Sequence, residues 1–178
     1  TLHTNDAVSS IARFRHLGMD ETSIASTMRG AVSQRLLRRL CTACAEAVNS
    51  QLTTEESRLA AIYGVEPVYR ARGCKRCGQA GFKGRLPLLE VLSITPAMQD
   101  LIIEKASASE VFRAGVASGM RPLLRVALER VRAGETTLQE VERVLGGVKD
   151  EGAGVVTGLP SSLAAQLPSQ MHQRKQSG

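Results

Sequence analysis

Aromatic residues are scarce in this chain. Its 178 residues include no tryptophan, two tyrosines and three phenylalanines. These five (Phe14, Tyr63, Tyr69, Phe82 and Phe112) are scattered, which argues against the stacking platform of a single-stranded nucleic-acid binder. The core must be aliphatic, and with 43% hydrophobic residues the chain can bury one. No apolar run approaches the roughly 20 residues of a membrane-spanning helix, and no stretch has the makeup of a secretory signal. Charge of one sign is not concentrated either: 23 Lys and Arg against 17 Asp and Glu leave +6, spread along the chain. That balance permits contact with nucleic acid or an anionic membrane surface without demanding it. The first residue is Thr1 and not Met, so the chain reads as a piece of something longer.

Cysteine is also rare, and all of it is paired. Cys41 and Cys44 form one C-x2-C knuckle, Cys74 and Cys77 a second, with 29 residues between them. Each knuckle places two thiolates on one tight turn, and two knuckles supply the four ligands of a tetrahedral zinc site. A closed shell of four sulfurs leaves no position for water, so such a metal is structural. Four free thiols or two disulfides are the alternatives. The reduced, metal-type cysteines and the absence of a secretory signal lead to an expectation of the cytoplasm.

Taken in order, Asn5 or Asp6 can cap a helix carrying Val8, Ile11 and Ala12, with Gly18 as its stop. A second helix is expected from about Asp20 up to Cys41, on the stripe Ile24, Met28, Ala31, Val32, Leu36 and Leu40. Arg35, Arg38 and Arg39 would then sit at its dipole-matched end. Thr53 and Glu56 form a capping box for a short helix ending at Gly64, and Val68-Tyr69 reads as a short strand. The apolar run after Gly81 and Gly84 reads as a strand in which Pro87 signals an edge or a bulge. Glu90 can bond to Arg85 across a bend. From Thr95-Pro96 onward the signals are helical: Ser107 with Glu110, Pro122, and Thr137 with Glu140 open three further helices, predicting a bundle of four. Beyond Gly146 the composition turns to Gly, Ser, Pro and Gln, the mark of a flexible tail. His16 falls on a helix surface and His172 in that tail, neither at ligand spacing to a knuckle.

The combination Thr1-Leu2-His3-Thr4-Asn5-Asp6-Ala7, Gln34-Arg35-Leu36-Leu37-Arg38-Arg39-Leu40-Cys41-x2-Cys44 and Gly73-Cys74-x2-Cys77-x3-Gly81-x2-Gly84-Arg85, followed by Glu90, resembles the C-terminal part of the secretion ATPases of type II secretion and type IV pilus assembly. The resemblance runs in register from residue 1 to about 146. It implies an α/β fold: residues 1–40 as a remnant of a RecA-like ATPase core, 41–80 as an inserted four-cysteine zinc subdomain, 81–94 as a connecting strand region, 95–146 as a small helical subdomain, and 147–178 as a tail. It implies a homohexamer in the cytoplasm, peripheral to the inner membrane through platform proteins, using ATP and magnesium. His3 matches the family's histidine box beside the nucleotide phosphates and is the candidate catalytic residue. Cys41, Cys44, Cys74 and Cys77 match its metal-binding cysteines.

There are departures. The chain contains no G-x4-G-K-[ST] loop to hold phosphates, so by itself it is expected neither to bind ATP well nor to hydrolyse it. Thr42 stands where the family often has proline, and Pro87 where it usually has glycine. Two other readings fit the knuckles: a zinc-ribbon module that binds nucleic acid through Lys75, Arg76, Lys83 and Arg85, and a metal-stabilised scaffold that docks a partner protein.

Overall fold

The computed structural model describes residue 2, residues 4–49 and residues 51–146. His3, and the stretch 147–178 read as a tail, lie outside the described residues. Two short helices come first, α1 (Ser9–His16) and α2 (Glu21–Thr27). The Asp6 carboxylate accepts the Ser9 N–H at 2.6 Å, and Asp20 caps α2 by accepting from Ser23 N–H at 2.9 Å. Four strands follow: β1 (Gly30–Leu40), β2 (Ala45–Ala47), β3 (Tyr69–Ala71) and β4 (Phe82–Ser93), with α3 (Thr54–Tyr63) between β2 and β3. The chain then runs through α4 (Pro96–Ile103), α5 (Ala108–Ala117), α6 (Leu123–Arg132) and α7 (Leu138–Leu145).

The expected helix from Asp20 to Cys41 is corrected here. Only Glu21–Thr27 is helical; residues 30–40 form a long strand paired antiparallel with β4, from Gly30 opposite Ser93 to Leu40 opposite Phe82. The stripe at 31, 32, 36 and 40 fits a helix because Gln, Arg and Leu are good helix formers. Pairing with a segment some fifty residues downstream overrides that local preference. Arg35, Arg38 and Arg39 therefore lie on a strand and are used individually. Arg35 donates to the Asn5 carbonyl at 3.1 Å, Arg38 pairs with Glu140, and Arg39 with Glu135.

The β1–β4 ribbon sorts its residues by alternation. Ala31, Ser33, Arg35 and Leu37 share an inner face with their partners Leu92, Glu90, Leu88 and Leu86. Two apolar clusters rest on that face. Leu37, Leu86 and Leu88 join Leu59 and Val65 from the α3 region and Ala127, Val131, Leu138 and Val141 from α6 and α7. Leu92 joins Ile11, Ile24, Met98, Ile102 and Val111 from α1, α2, α4 and α5. The four C-terminal helices are thus divided between two cores, α4 with α5 and α6 with α7, instead of closing on one another as a separate bundle. The reason is their partners: each pair finds its apolar complement on a different stretch of the ribbon.

At the boundary between the two clusters stands Glu90, buried on the inner face. Its carboxylate accepts the Ala7 N–H at 2.7 Å and the Leu123 N–H at 3.2 Å, joining the segment before α1 to the start of α6. Leu123 opens a helix whose preceding residue, Pro122, offers no side-chain cap, so Glu90 serves from a distance. The expected bond to Arg85 does not form: residues five apart on a strand point to opposite faces, and Arg85 is exposed.

The caps expected at Thr53, Thr95, Ser107 and Thr137 all form, each accepting from the N–H three residues on. Glu56 and Glu110 complete reciprocal boxes. Glu140 reaches Arg38 and Arg143 instead of its own cap. Among the described residues, no helix is long and apolar enough to cross a membrane.

Candidate metal centre

The two ribbons meet end to end. β1 leads through the first knuckle into β2, and β3 leads through the second into β4, while β1 pairs with β4 and β2 with β3. All four cysteines therefore fall in the gap between the pair Leu40–Phe82 and the pair Ala45–Ala71. Residues 33 apart in sequence are brought together because each knuckle interrupts one side of the same double ribbon.

The backbone holds the sulfurs in place. The Cys41 N–H donates to the Gly81 carbonyl at 2.9 Å across the ribbon. Within the first knuckle, Cys44 and Ala45 N–H both donate to the Cys41 carbonyl, closing the turn. In the second, Cys77 and Gln79 N–H donate to the Cys74 carbonyl, while Cys74 and Gly81 N–H donate to the Cys77 sulfur, both at 3.2 Å. Gly81 has to be glycine for this contact: it sits at φ +74°, and a Cβ there would stand 2.7 Å from the Ala71 Cβ. Gly73, at φ +103°, has the Gln79 carbonyl oxygen 2.6 Å from where a Cβ would be.

The Sγ atoms of Cys41 and Cys74 are 3.9 Å apart, those of Cys44 and Cys77 3.8 Å, and those of Cys74 and Cys77 3.8 Å. All four lie within 4.8 Å of one another. A disulfide requires about 2.05 Å, and none of the four cysteines is paired in one. A tetrahedron of sulfurs around a zinc ion, with bonds of about 2.3 Å, has edges of about 3.8 Å. The three separations match that edge, so the sulfurs are close enough to hold one metal ion. A four-sulfur set suits zinc or iron and excludes the hard cations calcium and magnesium.

Protonation is uneven across the cluster. Burial pushes the Cys44 thiol up to about 12, and the neighbouring sulfurs of Cys74, Cys41 and Cys77 add to the effect. Burial opposes ionisation of Cys77 as well, but the N–H groups of Cys74 and Gly81 and the thiols of Cys74 and Cys44 favour its thiolate and bring it down to about 6. Backbone N–H groups thus favour the thiolate at Cys77, whereas burial disfavours it at Cys44.

The surroundings tie the centre into the fold. Arg70 on β3 donates to both carboxylate oxygens of buried Glu56, at 2.6 and 2.7 Å, linking β3 to the start of α3. The guanidinium of Arg38 lies 4.2 Å from the centroid of the Phe82 ring just below the first knuckle. Residues 38–40 are anchored by the loop between α6 and α7: Leu40 N–H donates to the Glu135 carbonyl at 2.8 Å, and Thr136 Oγ1 donates to the Arg38 carbonyl at 2.9 Å. Fully buried Glu140 receives the Arg38 N–H at 2.8 Å and side-chain nitrogens of both Arg38 and Arg143. Burial would raise its carboxyl; Arg143 and Arg38 overcome that and hold it at about 2. Reading the sequence assigned Glu56 and Glu140 as caps and overlooked their arginine partners. For Glu90 there was a signal, a lone carboxylate inside the apolar run Leu88–Leu92.

A mixed α/β chain with a four-thiol cluster cinching its ribbons is the class of protein that the fold and site define. Similar proteins narrow the class. Residues 1–143 match the family described as "Type II/IV secretion system protein". The chain is 33% identical over 144 residues to a "Type IV pilus assembly ATPase PilB" of Myxococcus xanthus, with 79% of this chain and 25% of the relative covered. It is 37% identical over 145 residues to the protein of that name in Thermus thermophilus, covering 79% and 16%. To the "Type II secretion system ATPase E" of Vibrio cholerae it is 35% identical over 146 residues, covering 81% and 28%. The chain belongs to the type II/IV secretion system protein family. It spans about a quarter of the length of most of these relatives.

Proposed function

We propose that this chain is the C-terminal part of a homohexameric, RecA-like ATPase that powers type II protein secretion or type IV pilus assembly. The observation that carries the reading is the family match over residues 1–143, to relatives named as ATPases of these two systems. The longer part of the polypeptide would supply the phosphate-binding loop that this chain lacks, together with the site for ATP and magnesium. This chain alone hydrolyses no ATP. His3 contacts the terminal phosphates when that part is present. The protein works in the cytoplasm, at the inner membrane, through platform proteins.

Cys41, Cys44, Cys74 and Cys77 hold one structural zinc ion, a role supported by the match of their spacing to a tetrahedral edge. The ion supplies a cross-link and no reactive water. The chain's own residues do the rest: Cys74 and Gly81 N–H steady the Cys77 thiolate, and Gly73 and Gly81 let the turn close beneath it. The clamp fixes the end of the ribbon whose other residues carry both cores. A docking role for the same region is compatible with this reading; Lys75, Arg76, Lys83 and Arg85, the residues of the nucleic-acid-binding alternative, are all exposed around the second knuckle.

The test is to read the coding sequence upstream of Thr1, express the longer in-frame polypeptide beside this chain, and measure ATP hydrolysis, mass and zinc for each. The expected result is a hydrolysing hexamer for the longer protein, none for this chain, and about one zinc per chain in both. An upstream sequence without G-x4-G-K-[ST], or a longer protein that turns over no ATP, refutes the reading.

A further inference from the structure

The loop between α6 and α7 touches both ribbons. On one side it lines the edge of β1 that faces away from β4. Cys41 N–H turns to β4 at the Gly81 carbonyl, and the preceding N–H, of Leu40, turns the other way to the Glu135 carbonyl at 2.8 Å. On the same edge, buried Thr136 donates through Oγ1 to the Arg38 carbonyl at 2.9 Å, and the Glu135 carboxylate accepts from Arg39 Nη2, also at 2.9 Å. On the other side the loop meets β3. Gly134 sits at φ +69°, and a Cβ there would stand 2.7 Å from Cδ2 and Cε2 of Tyr69, so the tyrosine ring lies directly on the glycine. The loop is itself held to α6. Gly134 N–H donates to the Val131 carbonyl, Glu135 N–H to that of Arg130, and Arg130 Nη1 to the Glu135 carboxylate at 2.8 Å.

β1 belongs to one ribbon and leads into Cys41; β3 belongs to the other and leads into Cys74. A loop fixed to both spans the gap that the cysteines occupy, and does so without touching a sulfur. We propose that Gly134, Glu135 and Thr136 are positioning residues of the metal centre: with Tyr69 they tie the two ribbons together and set how long the ion is retained. The proposal rests on reading the four cysteines as a metal site, and it adds which residues beyond the knuckles govern that site. An ion leaves four sulfurs one ligand at a time, and it escapes when one knuckle swings away before its sulfurs rebind. A tether between the ribbons keeps the detached pair at high effective concentration and so favours rebinding. The coupling is reciprocal, so the bound ion steadies the loop as much as the loop steadies the ion.

Zinc release from this chain to the chelating dye 4-(2-pyridylazo)resorcinol tests the proposal, with Tyr69→Ala to free the β3 end of the loop and Thr136→Val to weaken the β1 end. Tyr69→Ala is expected to speed release about tenfold, and Thr136→Val, which removes one neutral hydrogen bond, about threefold. Once the β3 end is free the loop no longer spans the gap, so the double variant is expected to release zinc no faster than Tyr69→Ala alone. Two independent destabilising changes would multiply instead. Tyr69→Phe, which keeps the ring, is expected to release zinc at the wild-type rate. Ile102→Ala, in the other core, weakens the fold away from the loop and is expected to leave the rate unchanged. Hydrogen exchange gives a second readout: removing zinc is expected to speed exchange across residues 133–137 in the wild type and to change nothing there in Tyr69→Ala. Wild-type release from Tyr69→Ala overturns the proposal, as do multiplying effects in the double variant. Thr136→Val is isosteric, so wild-type release from it overturns the proposal even where Tyr69→Ala does not fold. A wild-type chain that binds no zinc refutes the metal reading and this proposal with it, whereas zinc bound and lost at one rate by every variant refutes the proposal alone.

Discussion

Replacing Glu140 with glutamine tests how far a single buried carboxylate holds the ribbon to the last helices. Glu140 is fully buried and receives the Arg38 N–H at 2.8 Å, Arg38 Nε at 2.9 Å and Nη2 at 2.7 Å, and Arg143 Nε at 2.8 Å and Nη2 at 2.6 Å. Glutamine keeps the shape but removes the charge and turns one acceptor into a donor facing donors. Holding the carboxyl at about 2, against about 4.3 in an unfolded chain, corresponds to roughly 3 kcal/mol. Both arginines are about half exposed, and solvent screening reduces this to about 2 kcal/mol. For a chain of this size, that loss lowers the melting temperature by about 4–8 °C. The sign of the pH dependence follows from the lowered folded value. The contribution is complete above about pH 4.5 and fades as pH falls toward 2, where wild-type Glu140 is itself neutral. Urea denaturation followed by far-UV circular dichroism at pH 7, 5, 4 and 3, read as the difference between the two proteins, cancels effects common to both, including acid loss of any metal. A difference that stays constant down to pH 3, or one below about 0.5 kcal/mol at pH 7, refutes the reasoning.

Three further outcomes are expected. Changing any one of Cys41, Cys44, Cys74 or Cys77 to serine should sharply lower bound zinc, measured by plasma emission spectroscopy, and open residues 41–80 to limited proteolysis. Gly81→Ala should cost about 1–3 kcal/mol through its φ of +74° and its contact with Ala71. Because Gly81 N–H also serves Cys77, it should release metal faster to a chelator, whereas an equally destabilising core change should not. Leu88→Ala, in the centre of the ribbon's inner face, should cost about 2–5 kcal/mol in a denaturation titration and leave the zinc content intact.

What could be read from the residues alone was the chemistry carried by near neighbours. A C-x2-C turn, a Thr53–Glu56 box or a Thr95-Pro96 start is complete within four residues, so its sequence is its structure. The four sulfurs were legible as a set because no other cysteine competes with them. That they sit in the gap between two ribbons was not, since it depends on which strands pair.

Residues 30–40 mark where reading the sequence fails. Their inward positions, Ala31, Ser33, Arg35 and Leu37, mix polar and apolar side chains because each faces something different: a core, Glu90, the Asn5 carbonyl, a second core. With that alternation erased, the helix-forming residues left a helical pattern as the only local signal. The strand exists because β4 lies alongside it, and β4 lies there because both supply inner faces to the same two cores. The sequence by itself determined the knuckles, the caps and the family. Tertiary structure decided the ribbon, the division of the last four helices between two cores, and the use of Glu90 and Glu140 as long-range acceptors, because those depend on groups 33 to 102 residues away.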